Sequence, residues 1–229
     1  MIERTKLELL DDGIALITMD DGKVNAMSTE MLTEIGSQLD AAAQSSDITV
    51  LSGRDGIFSA GFDLAMLAGD LDERKKMVAA GVHLIEKMLT HPQPIVVACT
   101  GHAYPMGAFL MLSADFRIGA EGNWRMGLNE VAISLTVPHF AIELARHRLS
   151  PPAFAQITTA SMFGPVAACA AGYLDRVVAS DELHQYVIEK ARELVKSLDK
   201  QSYIGTKGRL NAQVLSAVRE GARKDGLIA

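Results

Sequence analysis

Short apolar runs of strand length alternate with segments of helical periodicity through the first two thirds of this chain, and from Asp181 onward only helical periodicity remains. That alternation constrains the fold more than any other feature. Strand-length runs need partners, and helical stripes need a face to cover, so the pattern predicts an α/β core of strand-strand-helix units followed by a helical tail. We divide the chain accordingly into a core over 1–180 and a C-terminal helical region over 181–229.

The local signals agree with this division. Lys6 to Leu10 and Ile14 to Met19 flank the turn triplet Asp11-Asp12-Gly13 and predict a hairpin. Ser28 is placed to cap a helix whose apolar face is Met31, Leu32, Ile35 and Leu39. Ile48 to Leu51 reads as a buried strand, and SGRDGIFSAGFDL after it reads as a loop. Residues 72–90 are helical through Met77, Gly81, Leu84, Ile85 and Met88, and stop before Pro92. Strands follow at Pro94 to Ala98 and Phe116 to Ile118, separated by an apolar helix from near Met106; another helix comes after Pro138. Ser150-Pro151-Pro152 is a helix start with Ser as cap, and Gly172 closes the helix that begins near Pro165. The tail breaks around Lys200 to Ser202.

At 229 residues with 48% hydrophobic content and seven prolines, the chain can bury a full core. Cys99 and Cys169 lie in small-residue apolar segments with neither a C-x-x-C pair nor a His/Cys cluster nearby, and read as buried packing thiols in a reducing compartment. The amino terminus is charged from its third residue and no run of 18 apolar residues occurs, so membrane insertion and secretion are not indicated; the cytoplasm is the expected location. A net charge of −6 with no basic stripe argues against nucleic acid as a partner.

Two loops carry strands into helices with small residues at the turn: Phe58-Ser59-Ala60-Gly61-Phe62-Asp63 and Gly101-His102-Ala103-Tyr104-Pro105-Met106-Gly107. Each leaves backbone N–H groups free at the positive end of a helix. Two such turns facing one point would bind a developing oxyanion, whereas each alone reads equally well as a tight structural turn.

The segments FSAGFDL, PIVVACTGHAYPMGAFLMLSADFRI and MGLNEVAISLTVP, with AGYLDRVV beyond them, follow the order and spacing of the crotonase (enoyl-CoA hydratase/isomerase) family, which this chain resembles over most of its length. The resemblance implies a crotonase (ClpP-like) spiral of strand-strand-helix turns whose C-terminal helices serve trimerisation, hence a homotrimer or hexamer. It implies an acyl-CoA thioester as ligand, coenzyme A being part of the substrate and no metal or redox cofactor being needed. It places oxyanion donors at the N–H of Phe62 and of Met106, where the family often has glycine.

The family's two-carboxylate hydratases carry their first glutamate where this chain has Phe109; the second is matched by Glu130. Adding water suits two carboxylates, whereas moving a double bond needs one base that takes a proton and returns it elsewhere. GLNEVAISLTVP also resembles the equivalent stretch of the mitochondrial-type Δ3,Δ2-enoyl-CoA isomerases, which have an apolar residue at the Phe109 position and a proline where Pro105 stands. The resemblance therefore favours an isomerase with Glu130 as base. The alternatives are a hydratase, or an acyl-CoA-binding pseudoenzyme, the latter suggested by Met106, Phe109 and a Ser134 where the family usually has glycine.

By the same resemblance, the backbone of Ala26, Ala60, Asp63 and Leu64 would receive adenine and pantetheine, and Lys23 a phosphate. Lys207 and Arg209 in the tail are further cations, read first as solvated helix charges. Phe109, Met111, Leu135 and Phe140 are candidates to line an acyl pocket, though core packing explains apolar residues equally well. Asp63 and Asp115 read as braces for backbone N–H groups. His102 and His139 read as surface or hydrogen-bonded structural residues, with His139 the nearer to substrate.

Overall fold

The computed structural model describes residues 4–229. In chain order, β1 (Thr5–Leu10), β2 (Ile14–Met19) and β3 (Ala26–Met27) precede α1 (Thr29–Ser45); β4 (Ile48–Ser52), β5 (Gly56–Ser59) and β6 (Gly61–Phe62) precede α2 (Leu64–Ala68) and α3 (Leu71–Thr90). A third unit consists of β7 (Ile95–Cys99), β8 (Gly101–Ala103) and α4 (Pro105–Ser113). Then come β9 (Phe116–Ala120), β10 (Met126–Gly127), α5 (His139–Arg148), α6 (Pro151–Ala155), β11 (Met162–Phe163), α7 (Pro165–Ala171) and β12 (Arg176–Val178), and the tail is α8 (Leu183–Ser197) and α9 (Lys200–Lys224). Strand-strand-helix units thus recur, as the alternation in the sequence predicts.

Among the described residues the strands form sheets of six, four and two. The large sheet runs β1-β2-β4-β7-β9-β12 and is parallel apart from the β1–β2 hairpin. Its central strand β7 is buried along its whole length, which explains the unbroken run Ile95-Val96-Val97-Ala98-Cys99: both faces are covered, so no polar alternation is tolerated. Ile17, Leu51 and Val97 point into the main core under α1, α3 and α4, whereas Leu16, Val50 and Val96 point to the opposite face, covered by Val187, Ile188 and Ala191 of α8. The four-stranded sheet runs β11-β10-β8-β5 and brings the two turns together.

Helix starts follow their capping residues. Ser28 Oγ accepts from Met31 N–H at the head of α1, and Asp70 accepts from Asp72 and Glu73 N–H at the head of α3. Helix α4 is apolar all round and wholly buried, as a helix without a polar face must be. No helix among the described residues is long and apolar enough to cross a membrane.

Several expectations need correcting. The segment from Ser52 to Leu64 holds β5 and β6, strands too short and glycine-rich to show a period. Strands β11 and β12 lie beyond the first two thirds. Ser150 stands at the N-cap of α6, but its hydroxyl makes no capping bond. Cys99 is buried; Cys169 is only half-buried. Lys207 is buried and bonds Asp115 at 2.8 Å, so it is not a solvated charge, whereas Arg209 is exposed. In the tail, Val187, Val214 and Val218 are buried, Tyr186 and Leu194 half-buried, and Leu210 is exposed.

Candidate active site

The two glycine-bearing turns lie against each other. Strands β5 and β8 run parallel with a bulge between Ile57 and Ser59, and beyond it Tyr104 N–H donates to the Ser59 carbonyl at 2.9 Å. Ser59 Oγ donates to the Asn25 carbonyl at 2.8 Å and accepts Gly61 N–H at 3.0 Å, which locks the first turn onto β3. Gly61 takes φ +88°, a backbone conformation that side chains rarely adopt, while a Cβ there would meet Pro105 and Tyr104 at an ordinary 3.4 Å, so it is the turn's conformation that calls for glycine.

This packing sets the directions of the two predicted donors. Across β3 and β6, Asp63 N–H donates to the Met27 carbonyl, and because successive strand amides alternate sides, Phe62 N–H points away from β3. Met106 is the second residue of α4, after Pro105; its N–H has no carbonyl one turn back, and Tyr104 supplies no side-chain cap. The Met106 side chain, larger than the glycine frequent in the family, is fully buried and turned toward α3. There it meets Gly81, where an added Cβ would fall 3.1 Å from Met106 Sδ and 2.9 Å from the Phe62 ring. Gly81 thus makes room for the side chains of both donor residues, a role its place in a helical stripe did not reveal.

A cleft of about 430 Å³ opens over these turns, lined by Gly61, Phe62, Tyr104, Pro105, Phe109 and Glu130, with Ala60, Leu64, Leu67, Arg74 and Val78 on one side and Asn129, Ile133, Leu135, Thr136 and Pro138 on the other. Its size is that of a small-molecule site. Of the residues proposed from sequence, Ala60, Phe62, Leu64, Phe109, Glu130 and Leu135 line it. Met106 is not among the lining residues; it follows Pro105, which is. Phe140 is fully buried behind the wall and packs edge-on against Phe109, ring centres 5.8 Å apart; Met111 is likewise buried in the core. Asp63 caps α2, accepting from Ala65 N–H at 2.8 Å and Met66 N–H at 3.1 Å. Ala26 sits on β3 beside Gly61. Lys23 is exposed on the preceding loop, where its carbonyl accepts from Arg54 Nη1 at 2.8 Å; Arg54 is a second cation beside it that the sequence did not single out. His102 accepts Arg125 N–H at 3.1 Å, and His139 Nδ1 lies 2.6 Å from Asp225, both outside the cleft lining.

Among the described residues, Glu130 is the only carboxylate lining the cleft. It opens the 3-10 turn Glu130–Ile133, is 6% exposed, and its Oε2 has no hydrogen-bond partner. Burial disfavours the charge and pushes the carboxyl up to about 7, against a smaller opposing effect of its own backbone N–H. The Tyr173 phenol is buried nearby and is pushed up by burial and by the Glu130 charge, so it stays protonated. Ser134 closes the turn in a left-handed conformation, φ 63° and ψ 28°, the shape glycine adopts most readily; the loop therefore keeps its course despite the substitution.

An unpaired buried carboxylate that titrates near neutrality, beside two turns with unengaged amides, can move a proton next to an oxygen that gathers charge. The sequence matches the enoyl-CoA hydratase/isomerase family over residues 10–225. The chain belongs to that family. A crystal structure of an enoyl-CoA hydratase/isomerase family protein from Pseudomonas syringae is 39% identical, with a TM-score of 0.93 over 97% of this chain and 96% of that one. A Mycobacterium tuberculosis protein, described as an enoyl-CoA isomerase in one crystal structure and as a probable enoyl-CoA hydratase in another, is 36% identical, with TM-scores of 0.91 and 0.92 over 98% of this chain and 97% of that one. A probable enoyl-CoA hydratase of Mycobacterium avium is 29% identical over 190 residues, 81% of this chain and 73% of the relative. The architecture is accordingly the crotonase fold, and the enoyl-CoA hydratase/isomerase family names among these relatives include both activities.

Proposed function

We propose that this member of the enoyl-CoA hydratase/isomerase family is an enoyl-CoA isomerase that converts 3-enoyl-CoA to 2-enoyl-CoA with Glu130 as its single base. The observation that carries the reading is that Glu130 is the only carboxylate among the described residues lining the cleft, which the wholly apolar Phe109 also lines. Ionised Glu130 removes a proton from the methylene between the thioester and the double bond. The electron pair moves to the thioester oxygen, which accepts hydrogen bonds from Phe62 and Met106 N–H. Protonated Glu130 then returns its proton to the far carbon of the dienolate, leaving the conjugated product. A carboxyl near 7 suits this exchange because neither form is strongly preferred at neutral pH.

Coenzyme A would enter past Ala26, Ala60 and Leu64, with Lys23 and Arg54 available to its phosphates. Hydratase activity is the second reading, supported by the naming of the Mycobacterium avium relative. The two separate in one assay: wild-type protein is given 3-enoyl and 2-enoyl thioesters of several lengths, and conjugation absorbance is followed. Appearance of conjugation from 3-enoyl-CoA, with weak or no loss from 2-enoyl-CoA, is expected. Efficient hydration of 2-enoyl-CoA would favour the hydratase, and tight binding without turnover of either would make the chain an acyl-CoA-binding pseudoenzyme.

A further inference from the structure

The cleft does not end at Glu130. A second cavity of about 390 Å³ lies next to it, and Arg74, Val78, Thr136 and Pro138 line both, which places Arg74 between the two. Arg74 is the charged residue at that junction. It is half-buried, and its guanidinium has one protein partner, the Leu67 carbonyl at 3.4 Å, the long end of hydrogen-bond range. No carboxylate pairs with it among the described residues. Asp70 is engaged in capping α3, and Asp72 and Glu73 are exposed and unpaired with it.

The second cavity repeats this imbalance. Its one carboxylate, Asp225, already receives His139 Nδ1 at 2.6 Å and the N–H groups of His139 and Phe140 at 3.2 and 3.4 Å. Lys75, which lines the same cavity, is exposed to solvent. Arg74 thus stands without a countercharge in the wall of an apolar cleft, next to a cavity whose own carboxylate is satisfied. A half-buried guanidinium without a countercharge suits a planar carboxylate.

We propose that Arg74 is a specificity-determining residue that binds a carboxylate at the far end of the acyl chain, so that the preferred substrates are thioesters of dicarboxylic acids. This rests on the acyl-CoA reading above and narrows its substrate class. The same guanidinium chemistry would also receive a coenzyme A phosphate, and the experiment separates the two sources.

Binding is measured by calorimetry with saturated thioesters that cannot isomerise: adipoyl-CoA against hexanoyl-CoA, and suberoyl-CoA against octanoyl-CoA. Wild-type protein is expected to bind the diacid thioester about tenfold more tightly in at least one pair, with the preference falling as salt is raised. Arg74→Met should remove that preference, and Arg74→Lys should keep part of it. No preference in either wild-type pair would overturn the proposal, as would an equal loss on both members of a pair in Arg74→Met, which would assign Arg74 to a coenzyme A phosphate. Turnover of an apolar 3-enoyl-CoA with no diacid preference would leave the isomerase standing and remove the subsite. A diacid preference in binding with no turnover of any thioester would do the reverse.

Discussion

Glu130 and Asp115 are both carboxylates carried inward on the same scaffold, and their surroundings differ in one respect that separates chemistry from architecture. Asp115 Oδ2 accepts Ile95 N–H at 2.8 Å and the Lys207 ammonium at 2.8 Å, and so fixes α9 to the edge of β7. Around it Arg148 donates to the Leu112 and Ala114 carbonyls, and Asn211 to that of Leu89. Glu130, by contrast, is buried with one oxygen unpartnered. A buried charge that is met by a countercharge holds a fold together; one that is left unmet is destabilised as an ion and becomes available as a base.

The largest effect should come from breaking the paired site. Burial pulls the Lys207 ammonium below the ordinary lysine range, while Asp115 pushes it back up, so Asp115→Asn leaves a buried cation without its partner. We expect a loss of about 3 kcal/mol, the lower end for breaking a buried pair because Asp115 itself is partly exposed. Thermal melting should fall by roughly 6–12 °C on the scale typical of a chain this long. Asp115→Asn combined with Lys207→Met should recover much of that loss. A single variant as stable as wild type would remove the contrast from this side.

The unpaired site should respond in chemistry. Glu130→Gln keeps size and most hydrogen bonding while removing the basic oxygen, and isomerase kcat should fall by at least about a hundredfold with little change in acyl-CoA affinity. Near-normal turnover in a steady-state assay would sink the single-base mechanism.

A smaller effect should follow from Gly81→Ala, which touches neither carboxylate. Its Cβ would press on the Phe62 ring and the Met106 sulfur, both the mobile ends of side chains, and shift the two donor amides slightly. We expect kcat to drop about tenfold while KM moves much less, because a misplaced donor acts on the transition state. Equal loss in both parameters, or none, would show that Gly81 serves packing alone.

How much of this contrast was legible in the sequence follows from the kind of signal each residue carries. Helices α1, α3 and α8 were visible because their apolar stripes are long enough to show a period, and β7 because a strand covered on both faces reads as an unbroken apolar run. Strands of two residues such as β6 and β10 have no period to read; their existence depends on pairing with segments distant in the chain. Glu130 was legible only through the motif around it. Its lack of a partner was not, nor was the partner of Lys207, which lies 92 residues away. Arg74 and Gly81 were invisible for the same reason: one is an ordinary helix cation and the other an ordinary small residue until neighbours are placed around them.

The most direct test is the titration of Glu130 itself, read as the infrared carboxyl band of the folded wild-type protein minus that of Glu130→Gln from acid to mildly alkaline pH. A midpoint near 7 is expected, since burial raises the carboxyl from its ordinary value of 4.5. The sign of the linked stability follows. A carboxyl raised on folding disfavours the folded state once the unfolded chain ionises, so wild-type stability relative to Glu130→Gln should fall as pH rises from 4.5 to about 7 and then level off. The ionised fraction should also set the rising acid limb of kcat/KM for 3-enoyl-CoA. A midpoint in the ordinary carboxylate range, with no pH-dependent stability difference between the two proteins, would contradict the claim that Glu130 is an unpaired buried base.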